Sequence, residues 1–434
     1  MLVVGALATA SVSAQEPVEI RLEDGLRMAF RKNEILGVAQ GDLDRARQGV
    51  RHALAGRLPQ ISVDIDYLRN FQLPRTVLGD SSFTTGTKYN LDGSVTLRQS
   101  LYSGGRIGGA WREARDFLDL SREALREVRK RVHAEVETGF YDVLLAAELI
   151  RVGDLALDRA RRNLRQVQLL RDVGRASGLD LIRAEVQVLE LAPDSIQARH
   201  DFELAEITFK NSIGLDPAKR IRLAGEFRRS DAYVDLAADS LVSIGLANGP
   251  DRRQLDHRLA MRRYAVQIKR SGHRPNVDFV VSGQMQIQGD RLRFDSDEAR
   301  RSWYAGFQVS IPLFDGFRTS ASVAQARIDL RRIHLETTHL ERRIRVELRR
   351  ASLGYGEARD REAAQKRALK LIADQLQAVE LQYKEGAGTQ LEVMDAQLDL
   401  LRTETEYARA RRDRAVAIVE LEYALGVIGD DLDL

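Results

Sequence analysis

The residues with most to offer chemically are carboxylates placed at two helix starts. Ser177…Asp180 and Thr389…Glu392 share one spacing, and Asp395 follows Glu392 by three residues. No base, nucleophile or metal partner accompanies them. No HExxH and no nucleophile elbow occur, and His334 and His339 are five apart. Carboxylates without such partners can do two things. In S/T-x-x-D/E they accept from the first backbone N–H and close a capping box. Repeated around an axis, they form a constriction that attracts cations. Capping accounts fully for Asp180 and Glu392. It accounts less well for Asp395, which lies one turn deeper on the same helix face. This is the chemistry of charge, with no catalytic, metal or cofactor site expected.

Each helix start is preceded by a glycine-containing turn. The first reads Asp172-Val173-Gly174-Arg175-Ala176-Ser177-Gly178-Leu179-Asp180, and the second Tyr383-Lys384-Glu385-Gly386-Ala387-Gly388-Thr389-Gln390-Leu391-Glu392. Gly174 and Gly386 are placed to end the incoming helix in a left-handed conformation. A different glycine run, Ser103-Gly104-Gly105-Arg106, looks superficially like a phosphate cradle. Its counterpart Asp315-Gly316-Phe317-Arg318 does not keep the pattern and no Lys-Ser pair follows, so a strand-to-helix turn is the better reading.

The elements that position these turns are very long helices. From Arg106 to Asp172 no proline intervenes, and apolar or small residues recur in steps of three and four: Trp111, Ala114, Leu118, Ser121, Leu125, Val128, Val132, then Leu157, Ala160, Leu164, Val167. That seam predicts a helix packed lengthwise on other helices, about 100 Å long at 1.5 Å per residue. A return helix is expected from Asp180 to about Ser212, broken at Pro193. The second pair is expected at about Ser320 to Lys384 and onward through Leu391, Met394, Leu398 and Leu401. Shorter helices are expected at Arg21–Ala55 and Leu236–Ser271, with Gly214–Arg229 as a linker.

The chain is a tandem repeat. Leu101-Tyr102-Ser103-Gly104-Gly105-Arg106 aligns with Leu313-Phe314-Asp315-Gly316-Phe317-Arg318 at an offset of 212, and Gly174/Gly386, Asp180/Glu392 and Gly214/Gly426 keep it. Upstream, Pro59 and Pro275 are 216 apart, so copy one carries a longer connection before its long helix. The expected division is residues 1–14 as a signal peptide, 15–229 as the first repeat and 230–434 as the second. Each repeat has a helix, a β-hairpin (58–101, 274–313) and a long helical hairpin (106–213, 318–426). The second ends in an acidic tail containing Asp430, Asp431 and Asp433.

Both hairpins alternate. Ile61, Val63, Ile65 and Tyr67 oppose Ser62, Asp64 and Asp66, and Leu91, Val95 and Leu97 oppose Asp92, Ser94, Thr96 and Arg98. In copy two, Val277, Phe279, Val281, Met285 and Ile287 alternate with Asp278, Ser282, Gln284 and Gln286. Trp303, Ala305, Phe307, Val309 and Ile311 then alternate with Tyr304, Gln308 and Ser310. Strands of about ten residues suit an outer-membrane barrel. Four strands cannot close one, so either two or three chains must pool theirs; the alternative is a soluble hairpin pair packed on helices.

Composition excludes several classes. Thirty per cent of residues are charged but the net charge is only +3, too small to argue for nucleic acid. There is no cysteine, hence no disulfide, thiolate metal site or lipidated cysteine. Met1–Ala14 is a short apolar run ending Val12-Ser13-Ala14, consistent with cleavage after Ala14.

With these features in order, the sequence resembles the TolC family of outer-membrane efflux channels over nearly all of the mature chain. The resemblance rests on the twofold repeat, Ala53-Leu54-Ala55-Gly56-Arg57-Leu58-Pro59-Gln60-Ile61-Ser62, Leu101–Arg106, and Tyr383…Gly386…Asp395-Ala396-Gln397. It implies a mainly α fold with a membrane β contribution: a homotrimer with a twelve-stranded barrel continued by an α-helical periplasmic tunnel. It also implies an exit duct serving a periplasmic adaptor and an inner-membrane pump of RND, ABC or MFS type. Mapped onto this chain, Asp180, Tyr383, Glu392 and Asp395 fall at the periplasmic gate. Gly174, Arg175, Gly178, Leu179, Gly386, Gly388 and Thr389 fall at the adaptor-contacting tips. Where the family pattern has a gate arginine this chain has Gly388, with Arg175 across the tip as a substitute. A type I secretion or metal-efflux duct shares the fold. A soluble periplasmic coiled-coil scaffold would share the helices without needing the alternating strands.

Overall fold

The computed structural model describes residues 18–230, 232, 236–291 and 299–429. The expected signal peptide and the acidic tail after Gly429 lie outside them. The chain forms two compact units. One comprises the described residues up to Gln40, Ala124–Arg252 and the residues from Leu340 on; the other comprises Gly41–Glu123 and Arg253–His339. Each draws on both copies of the repeat.

The order is β1 (Val18–Ile20), α1 (Leu22–Lys32), α2 (Glu34–Ala55), β2 (Gln60–Arg69), β3 (Arg75–Leu78), β4 (Ser81–Thr84), β5 (Tyr89–Tyr102), α3 (Arg106–Asp172) and α4 (Gly178–Ser212). Then follow β6 (Ile221–Leu223), α5 (Ala238–Asn248), α6 (Pro250–Arg270), β7 (Asn276–Gly289), β8 (Arg300–Ser310), α7 (Arg318–Glu385) and α8 (Gln390–Leu425). The 216 and 212 offsets recur in the element starts: α1/α5, α2/α6 and β2/β7, then α3/α7 and α4/α8.

In the second unit, β2-β5-β7-β8 form one antiparallel sheet in that order. Its register carries the sequence alternation across all four strands. Ile61–Leu97–Val281–Ala305 make one row, and Ser62–Thr96–Ser282–Tyr304 the next. On the polar side Asp64, Ser94, Gln284 and Ser302 line up, then Asp66, Asp92, Gln286 and Arg300. On the apolar side the Phe279 and Phe307 rings lie 5.4 Å apart, and Ile61, Val63, Ile65, Trp303 and Phe307 are all exposed. β2 and β8 are the outer strands, each with a free edge in this sheet.

In the first unit the helical seams pack as expected. Leu157 and Ala160 of α3 meet Leu191 of α4, and Leu376 of α7 meets Ala396 and Leu400 of α8. The segment between α4 and α5 is pinned by its arginines. Arg228 reaches Glu422 at 2.6 Å and Glu137 at 3.5 Å, while Arg229 reaches Glu362 at 2.9 Å. Glu137, only 1% exposed, also accepts from the Tyr141 hydroxyl at 2.8 Å. Burial opposes its ionisation, but the hydrogen bonds from His133 and Tyr141 and the Arg228 charge hold it below its ordinary value.

Four expectations are corrected. The opening helix divides at Asn33, where ψ is 122° and the side-chain Oδ1 accepts from Ile35 N at 3.0 Å. The mirror helix divides 216 residues later at Gly249, because Pro250 drives the preceding residue out of helical conformation. α4 is not broken at Pro193; Ser195 and Arg199, just beyond it, both donate to Asp154 of α3 and hold the helix in place. The loops also hold more structure than alternation revealed: β3–β4 is a hairpin turning at Gly79, and β1 pairs in parallel with β6.

Candidate functional site

The two helical tips are built alike, and local rules explain why. α3 ends with Gly174 at φ +74°, where Gly174 N donates to Arg171 O at 2.9 Å and Arg175 N to Leu170 O at 2.7 Å. α7 ends with Gly386 at φ +79°, with Gly386 N to Tyr383 O at 3.1 Å and Ala387 N to Gln382 O at 2.9 Å. Both are Schellman closures, which satisfy the last carbonyls of the helix. Each return helix then opens on a capping box. Ser177 Oγ accepts from Asp180 N at 3.1 Å, and Asp180 Oδ2 accepts from Ser177 N at 3.0 Å. Thr389 Oγ1 accepts from Glu392 N at 3.3 Å, and Glu392 Oε2 accepts from Thr389 N at 2.7 Å.

The expected gate residues do not all stand alike. The Tyr383 phenol is held above its ordinary value, first by burial and then by the negative charge of Asp180, so these two are electrostatic neighbours. Glu392 is held below its ordinary value by the hydrogen bonds from the Thr389 amide and then the Thr389 hydroxyl. Asp395 is exposed on α8, with no role in the cap. Arg175 does reach across: its Nη2 lies 3.9 Å from where a Cβ on Gly386 would stand. A Cβ on Gly388 would stand 3.2 Å from Tyr383 N, so a side chain fits there only if the turn yields by a few tenths of an ångström. Gly174 and Gly178 have open space around them, and Leu179 is exposed.

Behind the tips lies a polar cavity of about 400 Å³ between α3, α7 and α8. Arg162, Asn163 and Gln166 form one wall, and Glu380, Tyr383 and Lys384 another. Arg159 holds Glu404 at 2.8 Å, and Gln187 donates to Gln397 at 3.4 Å across α4 and α8. Asn163 Nδ2 and both side-chain polar atoms of Gln390 are buried without a hydrogen-bond partner among the described residues, which costs stability at those positions. Apolar periodicity alone does not mark this seam. The signal was there: Asn163, Gln187 and Gln397 interrupt otherwise apolar helix faces.

Long paired helices, twin capped tips and one two-faced open-edged sheet now stand together, and comparison gives them a family. The pattern described as outer membrane efflux protein matches residues 26–215 and 241–427. The chain belongs to that family. This outer membrane efflux protein is 23% identical to the outer membrane efflux protein BepC of Brucella suis biovar 1 over 98% of its length and 89% of the relative's. It is also 23% identical to the proteases secretion protein PrtF of Dickeya chrysanthemi, over 95% and 87% of the two chains. Its fold matches the solved structure of CusC, described as a transmembrane channel, with a TM-score of 0.81 at 20% identity, covering 96% and 95% of the chains. Outer membrane efflux proteins are ducts of the outer membrane that work with adaptors and inner-membrane pumps. No helix among the described residues is long and apolar enough to cross a membrane; the exposed apolar face of the sheet is the part suited to lipid.

Proposed function

We propose that three copies of this chain close one twelve-stranded barrel and form a passive exit duct, without enzymatic activity of its own. The observation that carries this reading is the sheet. Its apolar face is exposed, its two edges are free, and β2 and β8 run in opposite directions, so β8 of one copy meets β2 of the next antiparallel. Unpaired edges in lipid cost several kcal/mol per group, and closure among copies removes them. The polar face then lines the lumen with Ser62, Asp64, Asp92, Thr96, Arg98, Gln284 and Gln286. No concave recognition site is needed there, because solute selection belongs to the pump behind the duct.

Asp180, Tyr383, Glu392 and Asp395 form the gate. Gly174, Arg175, Gly178, Leu179, Gly386, Gly388 and Thr389 meet an adaptor, whose pump is of RND, ABC or MFS type. The name of PrtF supports a second reading, a protein-secretion duct, which the same tips would serve. Because the chain has no cysteine, single cysteines placed in β2 and β8 test the assembly directly. Oxidation in membranes should give covalent dimers and trimers; a product that stays monomeric and soluble without detergent would refute it.

A further inference from the structure

The tandem repeat makes one contact twice within the second unit and another only once. In each copy the connection into the first hairpin strand lies against the start of that copy's long helix. A Cβ on Gly56 would stand 3.5 Å from Ile107, and one on Gly272 2.9 Å from Thr319; these residues are equivalents at the offsets of 216 and 212. The second contact joins the copies. The strand-to-helix turn of copy one lies on the α6–β7 connection, where a Cβ on Gly104 would stand 2.8 Å from Arg274 Cβ and 3.0 Å from Ser271 O. Arg274 also donates to Gly104 O at 3.1 Å. The equivalent turn of copy two is open: nothing among the described residues lies within 4 Å of a Cβ on Gly316. Leu313, Phe314 and Phe317 around it are 93%, 78% and 72% exposed. Phe317 holds φ +64° where its counterpart is Gly105 at +94°, so an apolar ring is kept in a conformation that disfavours side chains. The surface equivalent to Ser271 and Arg274 is Ala55 and Leu58, and Leu58 is 56% exposed. A polar contact made inside the chain therefore corresponds to an apolar one that a single chain leaves unmade.

We propose that the turn Leu313–Phe317 of one copy seats on Ala55 and Leu58 of the next, and that β8 and β2 join there in the register of β5 and β7. This seating rests on the closed-barrel reading and is continuous with its β8–β2 joint, since the turn follows β8 directly and Leu58 lies just before β2. Carried over by the two offsets, the pair Gln99–Phe279 becomes Ile311 opposite Val63, and Leu97–Val281 becomes Val309 opposite Ile65. Thr96–Ser282 becomes Gln308 opposite Asp66. Apolar residues then meet apolar ones and polar meet polar, which a register displaced by one residue would reverse.

The test uses the full chain, which has no cysteine of its own, in outer membranes. Ile311→Cys combined with Val63→Cys should form disulfides between chains about tenfold faster than Val309→Cys combined with Val63→Cys, a diagonal pair about 7 Å apart in this register. Faster linking of the diagonal pair would overturn the register while leaving barrel closure standing. No link between chains at any β2–β8 pair would overturn closure, and the register with it. The turn is tested separately. Phe317→Asp should lower the trimer fraction in detergent about tenfold by removing a buried aromatic contact, and adding Leu58→Arg should restore it through a new ion pair between copies. An unchanged trimer fraction, or no recovery in the double variant, would overturn the seating. Quenching of a fluorophore on Phe317→Cys by nitroxide-labelled lipid would also overturn it, because the turn would then lie in the membrane.

Discussion

The tip carboxylates can be separated into helix caps and gate charges by three substitutions chosen to remove one property each. Glu392→Gln keeps an acceptor for the Thr389 amide, which sits 2.7 Å away, but removes the charge. Thr389→Ala keeps the charge and removes the hydroxyl that accepts from Glu392 N. Asp395→Asn removes a charge from an exposed position outside the cap. Losing a capping hydroxyl costs about 1 kcal/mol, or roughly fivefold more fraying of the first turn. A carboxylate about 8 Å from a divalent cation, screened over one Debye length, changes its occupancy by about twofold, so a ring of three gives about eightfold. Planar-bilayer recordings of the purified duct, titrated with a divalent cation, should therefore show block weakened about eightfold in Glu392→Gln and in Asp395→Asn. Thr389→Ala should leave block near wild type while accelerating amide exchange in the first turn of α8. Block weakened as much by Thr389→Ala as by Glu392→Gln, with Asp395→Asn without effect, would refute a gate role, because the carboxylates would then serve only the helix start.

Other consequences follow from the same structure. Glu392 has its carboxyl held below the ordinary 4.5 by the cap, so its contribution to tip stability is complete above that value and is lost as pH falls further; amide exchange at α8, corrected for intrinsic rates, should rise relative to α4 on acidification below about pH 4.5 unless Glu392 is already Gln. Arg228→Ala leaves Glu137 and Glu422 with a missing counter-charge, and should cost about 2 kcal/mol, less than a fully buried pair because the arginine is partly exposed; urea unfolding in detergent measures it. Phe317 is a non-glycine residue at φ +64° whose ring packs edge-on against Phe314 at 5.6 Å. Phe317→Gly should accordingly be more stable than Phe317→Ala by about 1 kcal/mol, the reverse of the usual order of these residues, and thermal unfolding of the two variants decides it. Gly386→Ala should fray the end of α7 more than Gly388→Ala does, since only Gly386 is left-handed; hydrogen exchange at Tyr383 and Lys384 reads the difference.

Much of this was legible because the controlling rules are local. Helix-ending rules foretold left-handed glycines at 174 and 386, where φ is 74° and 79°; the same 212 offset relates two further pairs, 104/316 and 214/426, whose φ values of 63/65° and 65/73° were not expected from the sequence. S/T-x-x-D/E foretold both capping boxes, and alternation foretold which residues share a sheet face. What was not legible depends on distant partners. Asn33 ends α1 while its Nδ2 donates to Ser212 O at 3.1 Å, a contact 179 residues away. β1 and β6 are three residues each, too short to carry a period. The polar cavity behind the tips is lined by Asn163 and Gln397, polar residues at positions where an apolar periodicity is interrupted and carries no signal. Tyr383 and Asp180 come from different copies of the repeat, so only the folded chain shows that one feels the other's charge.

The sheet and the tips pose opposite physical problems, and the chain answers them with different economies. In the sheet, a single chain leaves Ile61, Val63, Ile65 and Trp303 exposed on one face and two outer strands with open edges, so under the proposed closure folding of that unit is coupled to assembly and its stability should depend on protomer concentration. The tips are already complete within one chain, with Schellman closures and capping boxes in place. Yet two of the carboxylates that could guard a shared axis are also the residues that start the return helices. Any opening that draws Asp180 or Glu392 away from Ser177 or Thr389 frays a helix start, whereas movement of Asp395 does not. A gate built this way should open by displacement of whole hairpins along the under-satisfied polar seam around Asn163 and Gln390, leaving each capping box intact.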